Sequence, residues 1–288
     1  MKSPIFYVLL LITLGLLGWG TYQAIMVAPP ESTMGDAQRI FYYHVPAATA
    51  ASILFWGNFF ASLWYLWKRS PVADALAVTG AEVGVVFFGV VLVSGPIWAR
   101  YAWGTFWVWD ARLTTSLILW LLYVSYLVLR KSSEVGSTSV LAAAMAMLAA
   151  LDMPIVYMSN RWFPTNHPQP MIGTPNLNPE MQKVLLWNML AFTMFALLIA
   201  WFRFELERTS QKINQLHLRK AAQGISMAML APLLLFFQDD KALREQVVQH
   251  HYMVAGYIAV WTIYIGYLLF LYSKLKKLNR EAAAIGLR

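Results

Sequence analysis

Long apolar stretches alternate with short polar segments along most of the chain, and this alternation determines the expected fold. Each stretch has about twenty residues, enough for one helix to cross roughly 30 Å of hydrocarbon. Six are clear from the sequence, at residues 5–27, 46–67, 75–93, 113–129, 140–158 and 184–202. A shorter stretch at 221–237 and a full-length one at 252–272 follow.

This pattern predicts an all-α fold, a polytopic membrane helix bundle with six core transmembrane helices plus one or two C-terminal spans. The first stretch follows Lys2, is longer than the apolar core of a signal peptide and has no small-residue cleavage site behind it. We therefore expect it to remain as a membrane anchor.

The distribution of Lys and Arg indicates the orientation, because cytoplasmic connections are enriched in these residues. With a cytoplasmic N-terminus and eight crossings, fifteen of the 22 Lys and Arg residues lie on the cytoplasmic side. This count requires 221–237 to cross, since otherwise the basic tail would lie outside. His44, His167 and the segment 98–110 then face outward, whereas His217 is cytoplasmic.

The composition is typical of a membrane protein and excludes several kinds of site. Hydrophobic residues make up 59% of the chain and charged residues 12%, and the net charge of +8 comes from short basic clusters between apolar runs. Such clusters act as topology signals rather than as a nucleic-acid-binding patch. The chain has no cysteine, which excludes disulfides, thiolate metal ligands and the C-x-x-C-H motif. The sequence also has no phosphate-binding Gly-rich loop, Ser nucleophile motif or zinc-type spacing.

The most informative segment is GPIWARYAWGTFWVWDARLT, which begins at Gly95. Gly95 and Pro96 are expected to end the third helix, and four tryptophans follow closely. Trp103 and Trp107 are one helical turn apart, so both indoles are expected to project from one face. This arrangement forms a shelf suited to a flat apolar macrocycle.

The neighbours of these tryptophans complete the expected site. Trp109 extends the shelf, and Gly104 lets a ring approach the backbone closely. Arg100 or Arg112 is placed to pair with carboxylates at the ligand's edge. An interfacial aromatic belt is the alternative explanation, although a belt distributes its rings over many helices. Asp110 also suits the N-cap of the fourth helix, a role compatible with one in the site.

Two histidines flank this shelf on the outward side. His44 lies in RIFYYHVPAA just before Pro46 opens the second helix, and His167 lies in NRWFPTNHPQP between helices five and six. Neutral imidazole is a common iron ligand, and two imidazoles from separate loops can reach opposite faces of one macrocycle. Solvated loop histidines are the alternative. The adjacent His250 and His251 point in different directions, and we assign them no ligand role.

Glu82 and Asp152 are ionisable residues inside predicted spans, where burial in lipid is costly. Hydrogen bonding in the bundle interior is the expected role of both, and Pro154 frees backbone groups near Asp152. A functional role is the alternative.

These motifs closely resemble the cytochrome c maturation protein C (CcmC) family of heme-handling membrane proteins, also called heme exporter protein C. WGTFWVWD at 103–110 fits the tryptophan-rich (WWD) signature W-G-x-x-W-x-W-D of the superfamily. FYYHVPAA at 41–48 and the loop from Trp162 to His167 fall where this family places its two outward histidines. The resemblance covers roughly residues 1–205, including six spans with both ends in the cytoplasm.

The resemblance implies a non-covalently bound heme b at the periplasmic face of the bacterial inner (plasma) membrane, with His44 and His167 as the axial iron ligands. The candidate heme site also includes Trp103, Gly104, Trp107, Trp109, Asp110, Arg100, Arg112 and Trp162. The implied function is delivery of heme during cytochrome c biogenesis, without enzymatic activity.

The resemblance also implies partners: the periplasmic heme chaperone CcmE, an ABC transporter made of CcmA and CcmB, and the small single-span protein CcmD. We expect a heme-handling membrane domain at 1–205 and a C-terminal extension at 206–288. Within the extension, residues 250–283 resemble a fused CcmD, with a polar outward start, one aromatic span and a basic tail. For residues 220–237 a processing signal is the alternative to a further span.

Two other functions remain open. A heme lyase of the same superfamily would attach heme to apocytochrome thiols, but lyases usually carry a second histidine pair within their membrane helices. No histidine of this chain lies within a predicted span. A general permease would use the tryptophans only as anchors and would bind no chromophore.

Overall fold

The computed structural model describes residues 4–131, 138–169, 171–175, 177–222 and 250–284. Within these ranges the chain forms seven α-helices: α1 (Pro4–Tyr22), α2 (Phe41–Lys68), α3 (Pro71–Trp103), α4 (Ala111–Lys131), α5 (Thr138–Trp162), α6 (Pro179–Ala222) and α7 (His250–Ala284). A π-helical turn, Gln23–Val27, continues α1, and a 3-10 turn, Asp36–Ile40, leads into α2.

Six helices of the described part of the chain are long and apolar enough to cross a membrane, namely α1 with its π-helical turn, α3, α4, α5, α6 and α7. The predicted all-helical membrane fold is therefore confirmed. The predicted span at 46–67 does lie in a helix, α2, which is rich in Tyr and Trp and is not among these six. The predicted span at 252–272 lies within α7, and the one at 221–237 lies outside the described residues from 223 onward.

The centre of the bundle is the contact between α2 and α3, where glycines allow two helix backbones to approach. A Cβ atom on Gly80 would lie 2.7 Å from the Leu54 carbonyl oxygen, and one on Gly84 would lie 2.5 Å from the Phe55 ring. Small residues spaced four apart commonly permit such close packing between membrane helices. On its other side Phe55 stacks on Tyr123 of α4, so aromatic packing connects three helices.

Helix α3 is longer than the sequence pattern predicts, which corrects the expected start of the tryptophan segment. Gly95 and Pro96 do not end the helix, which continues to Trp103 and stops at Gly104. Proline inside a membrane helix removes one backbone hydrogen bond but is tolerated when neighbouring groups compensate. The real stop is Gly104, whose φ of 75° is left-handed and favours glycine. Trp98 therefore lies on the helix rather than in a loop.

The surroundings of His44 also differ from the expectation. Helix α2 begins at Phe41, directly after the 3-10 turn, so His44 lies on a helix and not in a loop before it. Pro46 is inside the helix rather than its first residue. Because Pro46 lies close to the start of α2, its missing N–H removes only one backbone hydrogen bond, near the N-terminal end of the helix.

The bundle has two distinct ends, one of which is held together by an ion pair. At one end, which we call the His44 end, α2, α4 and α6 begin and α3 and α5 end. At the opposite end the Arg130 guanidinium donates to both carboxylate oxygens of Asp74, at 2.6 and 2.8 Å, and Gln211 donates to the same carboxylate. Three outward-predicted segments, which contain His44, the tryptophans and His167, thus lie at one end.

Glu82 is paired in the bundle interior, as predicted. Its carboxylate lies 2.8 Å from the Arg203 guanidinium of α6 and accepts a hydrogen bond from the Tyr267 hydroxyl of α7 at 3.0 Å. Asp152 is also buried, but its Oδ2 has no hydrogen-bond partner among the described residues, so this oxygen lacks the predicted interior bond. The Glu82 contacts attach α7 to the rest of the bundle.

Candidate functional site

His44 is held against α3 by a hydrogen bond and by close packing. Its Nδ1 lies 2.9 Å from the hydroxyl oxygen of Ser94, which donates to the carbonyl of Val90 at 2.7 Å. A Cβ atom on Gly95 would come within 3.3 Å of the His44 Cε1, so the imidazole lies against the helix where it has no side chain. The sequence analysis did not identify Ser94; its only sequence signal is a hydroxyl next to the Gly-Pro pair.

His167 lies in the loop between α5 and α6 and is fixed by local hydrogen bonds. Its Nδ1 donates to the Pro168 carbonyl at 2.9 Å, and its backbone N–H donates to the Thr165 hydroxyl oxygen at 3.1 Å. Burial lowers the pKa of His167, and the nearby Arg112 guanidinium lowers it further. Its imidazole therefore remains neutral at a lower pH than an exposed histidine.

The fold brings the two histidines to one place. His44 lies in the electrostatic field of both His167 and Arg112, and Arg112 acts on His167 as well. Coulomb interactions fall with distance, so these three side chains are near enough to influence one another's charge. The sequence analysis placed His44 in a loop, whereas it lies on helix α2.

The tryptophans form two separate pairs instead of one helical face. Trp98 and Trp103 on α3 meet edge to face with ring centroids 5.3 Å apart, and Trp107 and Trp109 do the same at 5.7 Å. The expected Trp103–Trp107 face is wrong because Gly104 ends the helix between them. Two edge-to-face pairs still provide apolar ring surface at the His44 end.

The two tryptophans of the loop differ in exposure. Trp109 is 77% exposed, whereas the indole Nε1 of Trp107 is buried and has no acceptor among the described residues. A buried N–H without a protein partner is uncommon, and this one is available as a donor to a ligand. Trp162, the last residue of α5, is also mostly exposed.

Asp110 joins the tryptophan loop to the histidine loop. Its Oδ1 accepts from the backbone N–H of Leu113 at 2.9 Å, which confirms the predicted N-cap of α4. Its Oδ2 accepts from the Thr165 hydroxyl and from the backbone N–H of Asn166. Because both oxygens bond to protein groups, Asp110 acts here as a link between loops. Thr165 is a second residue that the sequence analysis missed.

Arginine side chains surround the same loops. The Arg100 guanidinium donates to the Gly104 carbonyl and lies over the Phe106 ring, 5.6 Å from its centroid. Arg112 donates to the Val156 carbonyl and lies in the electrostatic field of Arg161. A guanidinium has five N–H donors, so one carbonyl contact leaves donors for an anionic ligand. Arg161 was not among the predicted site residues, although it directly precedes Trp162.

A groove opens between the two loops at the surface. Its walls are formed by Val108, Trp109, Asp110, Pro164, Thr165 and Asn166. The whole arrangement has two imidazoles, indole faces and guanidinium groups at one end of a membrane bundle. These groups fit a flat apolar ring that carries iron at its centre and carboxylates at its edge.

The fold and this site define a multi-pass membrane protein whose loops and helix ends at one end of the bundle converge on paired histidines and tryptophans. The family to which such a chain belongs follows from comparison with known proteins. The chain belongs to the heme exporter protein C (CcmC) family, whose family model matches residues 1–237. It is thus a CcmC-family heme exporter protein involved in cytochrome c biogenesis.

Three relatives illustrate the range of the family. Heme exporter protein C of Bradyrhizobium diazoefficiens is 33% identical over 217 residues, which is 73% of this chain and 81% of the relative. Heme exporter protein C of Escherichia coli K12 is 30% identical over 61% of this chain and 72% of its own length. A putative cytochrome c biosynthesis ccmC-like mitochondrial protein of Marchantia polymorpha is 35% identical over 51% of this chain and 62% of the relative.

Proposed function

We propose that this protein binds heme b non-covalently at the periplasmic face of the bacterial inner membrane and delivers it to a periplasmic heme chaperone of the CcmE type. The observation that supports the proposal is that His44 on α2 and His167 in the loop after α5 lie at the same end of the bundle, where His44 is influenced by the charge of His167. The two neutral imidazoles would hold the heme iron as its nitrogen ligands.

The remaining candidate residues support binding of the macrocycle. The indoles of Trp103, Trp107 and Trp109 offer apolar faces for the porphyrin, and Trp162 adds one at the end of α5. Arg100 and Arg112 are the donors for the heme carboxylates, at the edge of the ring. Gly104 contributes by ending α3 directly before the loop that carries Trp107 and Trp109.

Delivery is favoured over chemical conversion of heme. Trp109 and the surface groove leave one side of the site accessible, which suits transfer to another protein. A heme lyase of the same superfamily is the alternative, and it requires a second histidine pair within the membrane. In the described part of the chain no histidine falls within the six candidate spans.

The expected partners follow from the family. CcmA and CcmB form the ABC transporter that supplies ATP hydrolysis, and CcmD is the small single-span component. In this chain α7 takes the place of CcmD, as part of an extension at 206–288 that follows the heme-handling domain at 1–205. In support, α7 lies beyond the family match and contacts α3 through the Glu82–Tyr267 hydrogen bond.

Absorbance spectroscopy of the purified full-length protein tests heme binding. Titration with hemin is expected to give a Soret band typical of two axial histidines. His44→Ala and His167→Ala are each expected to lose or shift that band, whereas His217→Ala near the far end of α6 leaves it unchanged. A protein that stays colourless in every form would support a general permease instead.

Transfer is tested by mixing the hemin-loaded protein with a purified CcmE-type chaperone that carries no heme. The Soret band is expected to move to the chaperone fraction after separation. Retention of all heme by the membrane protein, or covalent attachment to an apocytochrome without the chaperone, would contradict delivery and favour the lyase alternative.

A further inference from the structure

The hydrogen bonds around His44 determine which ring nitrogen carries its proton. Ser94 lies on α3 with 1% of its surface exposed, and its hydroxyl donates to the Val90 carbonyl one turn earlier at 2.7 Å. A hydroxyl has a single proton. Because that proton is used on Val90, the Ser94 oxygen acts as the acceptor toward His44 Nδ1, 2.9 Å away. Nδ1 is therefore the protonated nitrogen.

The same tautomer follows independently for His167. Its Nδ1 lies 2.9 Å from the Pro168 carbonyl oxygen, which only accepts hydrogen bonds. Nδ1 must therefore carry the proton, and in the neutral ring the lone pair is on Nε2. Both histidines thus offer the same atom, Nε2, to a ligand between them.

We propose that Ser94 is a positioning residue that holds His44 in the Nδ1–H form and directs its Nε2 to the heme iron. This inference rests on the proposed heme-binding function. A ligating imidazole whose other nitrogen donates a hydrogen bond is fixed in orientation and is a stronger electron donor to the metal. Ser94 contributes to heme binding without touching the heme.

Packing around the ring supports a positioning role. Gly95 leaves the α3 surface open beside His44, because a Cβ atom there would lie 3.3 Å from Cε1 and 3.9 Å from Nδ1. The imidazole is therefore in contact with α3 on the side that carries Nδ1. A flip of the ring would break the Ser94 bond, because it would place the apolar Cδ2–H opposite the Ser94 oxygen and Nε2 beside Gly95.

The test compares hemin binding by the full-length protein and by Ser94→Ala. Loss of the acceptor is expected to weaken binding of ferric heme about 10- to 100-fold, the usual effect of removing such an outer-sphere partner. The midpoint reduction potential of the bound heme is expected to rise, since a weaker donor stabilises ferric iron less. Ser94→Thr keeps the hydroxyl and is expected to restore both quantities.

A matched control is Thr79→Ala, which removes another buried hydroxyl of α3. The Thr79 hydroxyl has no hydrogen-bond partner among the described residues and lies about four helical turns from Ser94. This variant is expected to bind hemin with unchanged affinity and potential. An equal loss in Thr79→Ala and Ser94→Ala would attribute the effect to α3 packing and overturn the proposal.

A second measurement needs neither heme nor a stable variant. Nitrogen NMR of the heme-free wild-type protein with labelled histidine is expected to show His44 protonated at Nδ1 and unprotonated at Nε2. The opposite tautomer would overturn the inference, even if Ser94→Ala failed to fold.

The proposed heme-binding function and the proposed role of Ser94 would be contradicted by different results. A wild-type protein that binds no hemin contradicts the proposed function and with it the role of Ser94. A wild-type protein that binds hemin through His44 and His167, with unchanged affinity and potential in Ser94→Ala, contradicts only the inference about Ser94.

Discussion

Asp110 receives a hydrogen bond from the Thr165 hydroxyl, and this bond connects the tryptophan loop to the loop that carries His167. The other oxygen of Asp110 caps α4 at Leu113. Thr165 in turn accepts a hydrogen bond from the backbone N–H of His167. The position of one proposed iron ligand therefore depends on a side chain at the start of another helix.

Thr165→Val is expected to loosen the His167 loop while the cap of α4 remains. A hydrogen bond to a charged group contributes about 1.5–3 kcal/mol, and in this partly exposed loop we expect the lower end, about a tenfold loss of hemin affinity. Thr174→Val is the control, because among the described residues its hydroxyl bonds only within its own turn, to Met171. Hemin titration checks the prediction, and equal affinities of the two variants would contradict it.

The pH dependence of His167 should reveal its proximity to Arg112. Burial and the Arg112 charge both lower the pKa of His167 below the ordinary value of about 6.5. Since neutral imidazole is the iron-binding form, His167 is expected to stay competent as the pH falls through 6.5. Arg112→Gln removes one of the two causes and is expected to raise the pKa of His167.

NMR titration of the heme-free protein measures this pKa directly, without interference from iron. Arg69→Gln at the opposite end of the bundle is a control for the lost charge, because Arg69 is not among the groups that shift the pKa of His167. A His167 pKa that is the same in the wild type and in Arg112→Gln would show that the two side chains are too far apart to form one site.

The existence of the helices was predictable because lipid requires long apolar segments, and a stretch such as 140–158 is unambiguous. The end of α3 was not predictable from Gly95 and Pro96, since a membrane helix tolerates a proline that neighbouring groups support. The left-handed backbone at Gly104 ends α3 instead, and a glycine in a sequence does not reveal its φ.

The candidate residues of the site could be proposed from the sequence, but the contacts that support them could not. A cluster of histidines and tryptophans serves few functions in proteins. His44, His167 and the tryptophans therefore stand out in the sequence. Ser94 and Thr165 have common side chains, and their roles arise only from long-range geometry across 50 and 55 positions of the chain. Such contacts leave no local pattern in a single sequence.

Gly80→Ala is expected to destabilise the bundle through the α2–α3 contact. The added methyl group would lie 2.7 Å from the Leu54 carbonyl oxygen and 3.0 Å from the Asn58 nitrogen, and backbone atoms cannot move aside as a side chain can. Overpacking of this kind costs about 1–3 kcal/mol. Thermal unfolding in detergent measures the loss as a lower transition temperature.

The control for this substitution is Gly57→Ala on α2. Its added methyl group would have no heavy atom within 4 Å, so it brings no clash. Alanine also favours a helix over glycine by roughly 0.5–1 kcal/mol. Gly57→Ala is therefore expected to match or exceed the wild-type transition temperature, and a similar loss in both variants would contradict the proposed contact.

Loss of one partner of the buried ion pair between Glu82 and Arg203 is expected to destabilise the bundle more than loss of both. Arg203 is 2% exposed and lies 2.8 Å from both Glu82 and Glu207. Arg203→Met leaves the Glu82 carboxylate buried without its cation and is expected to cost about 3 kcal/mol. The double variant Glu82→Gln/Arg203→Met removes the uncompensated Glu82 charge and is expected to recover the part of the loss that comes from Glu82, while Glu207 keeps its contact with Lys274 at 3.9 Å.

Thermal unfolding of Glu82→Gln, Arg203→Met and the double variant completes a mutant cycle. Additive losses would show that the two side chains do not interact. Tyr267→Phe is informative in the same assay because it removes only the hydroxyl that α7 donates to Glu82. Its expected cost is about 1 kcal/mol, together with easier proteolytic removal of α7.

Accessibility labelling tests whether the His44 end of the bundle faces the periplasm. The chain has no cysteine, so each introduced cysteine is a unique label position. Ser32→Cys and Asn166→Cys lie in exposed positions of the loops at the His44 end, and Lys68→Cys and Lys277→Cys lie in exposed positions near the opposite end. An impermeant maleimide is expected to label the first two in intact cells and the other two only after permeabilisation.

Asn166→Cys is the most informative of the four label positions, because its loop carries His167 and its labelling shows on which side of the membrane His167 lies. Labelling of Asn166→Cys from one side and Ser32→Cys from the other would separate His167 from the segment that leads into His44. Two imidazoles on opposite sides of a bilayer, about 30 Å apart, cannot ligate one iron. Labelling of both from the cytoplasm would keep the site but reverse the proposed direction of delivery.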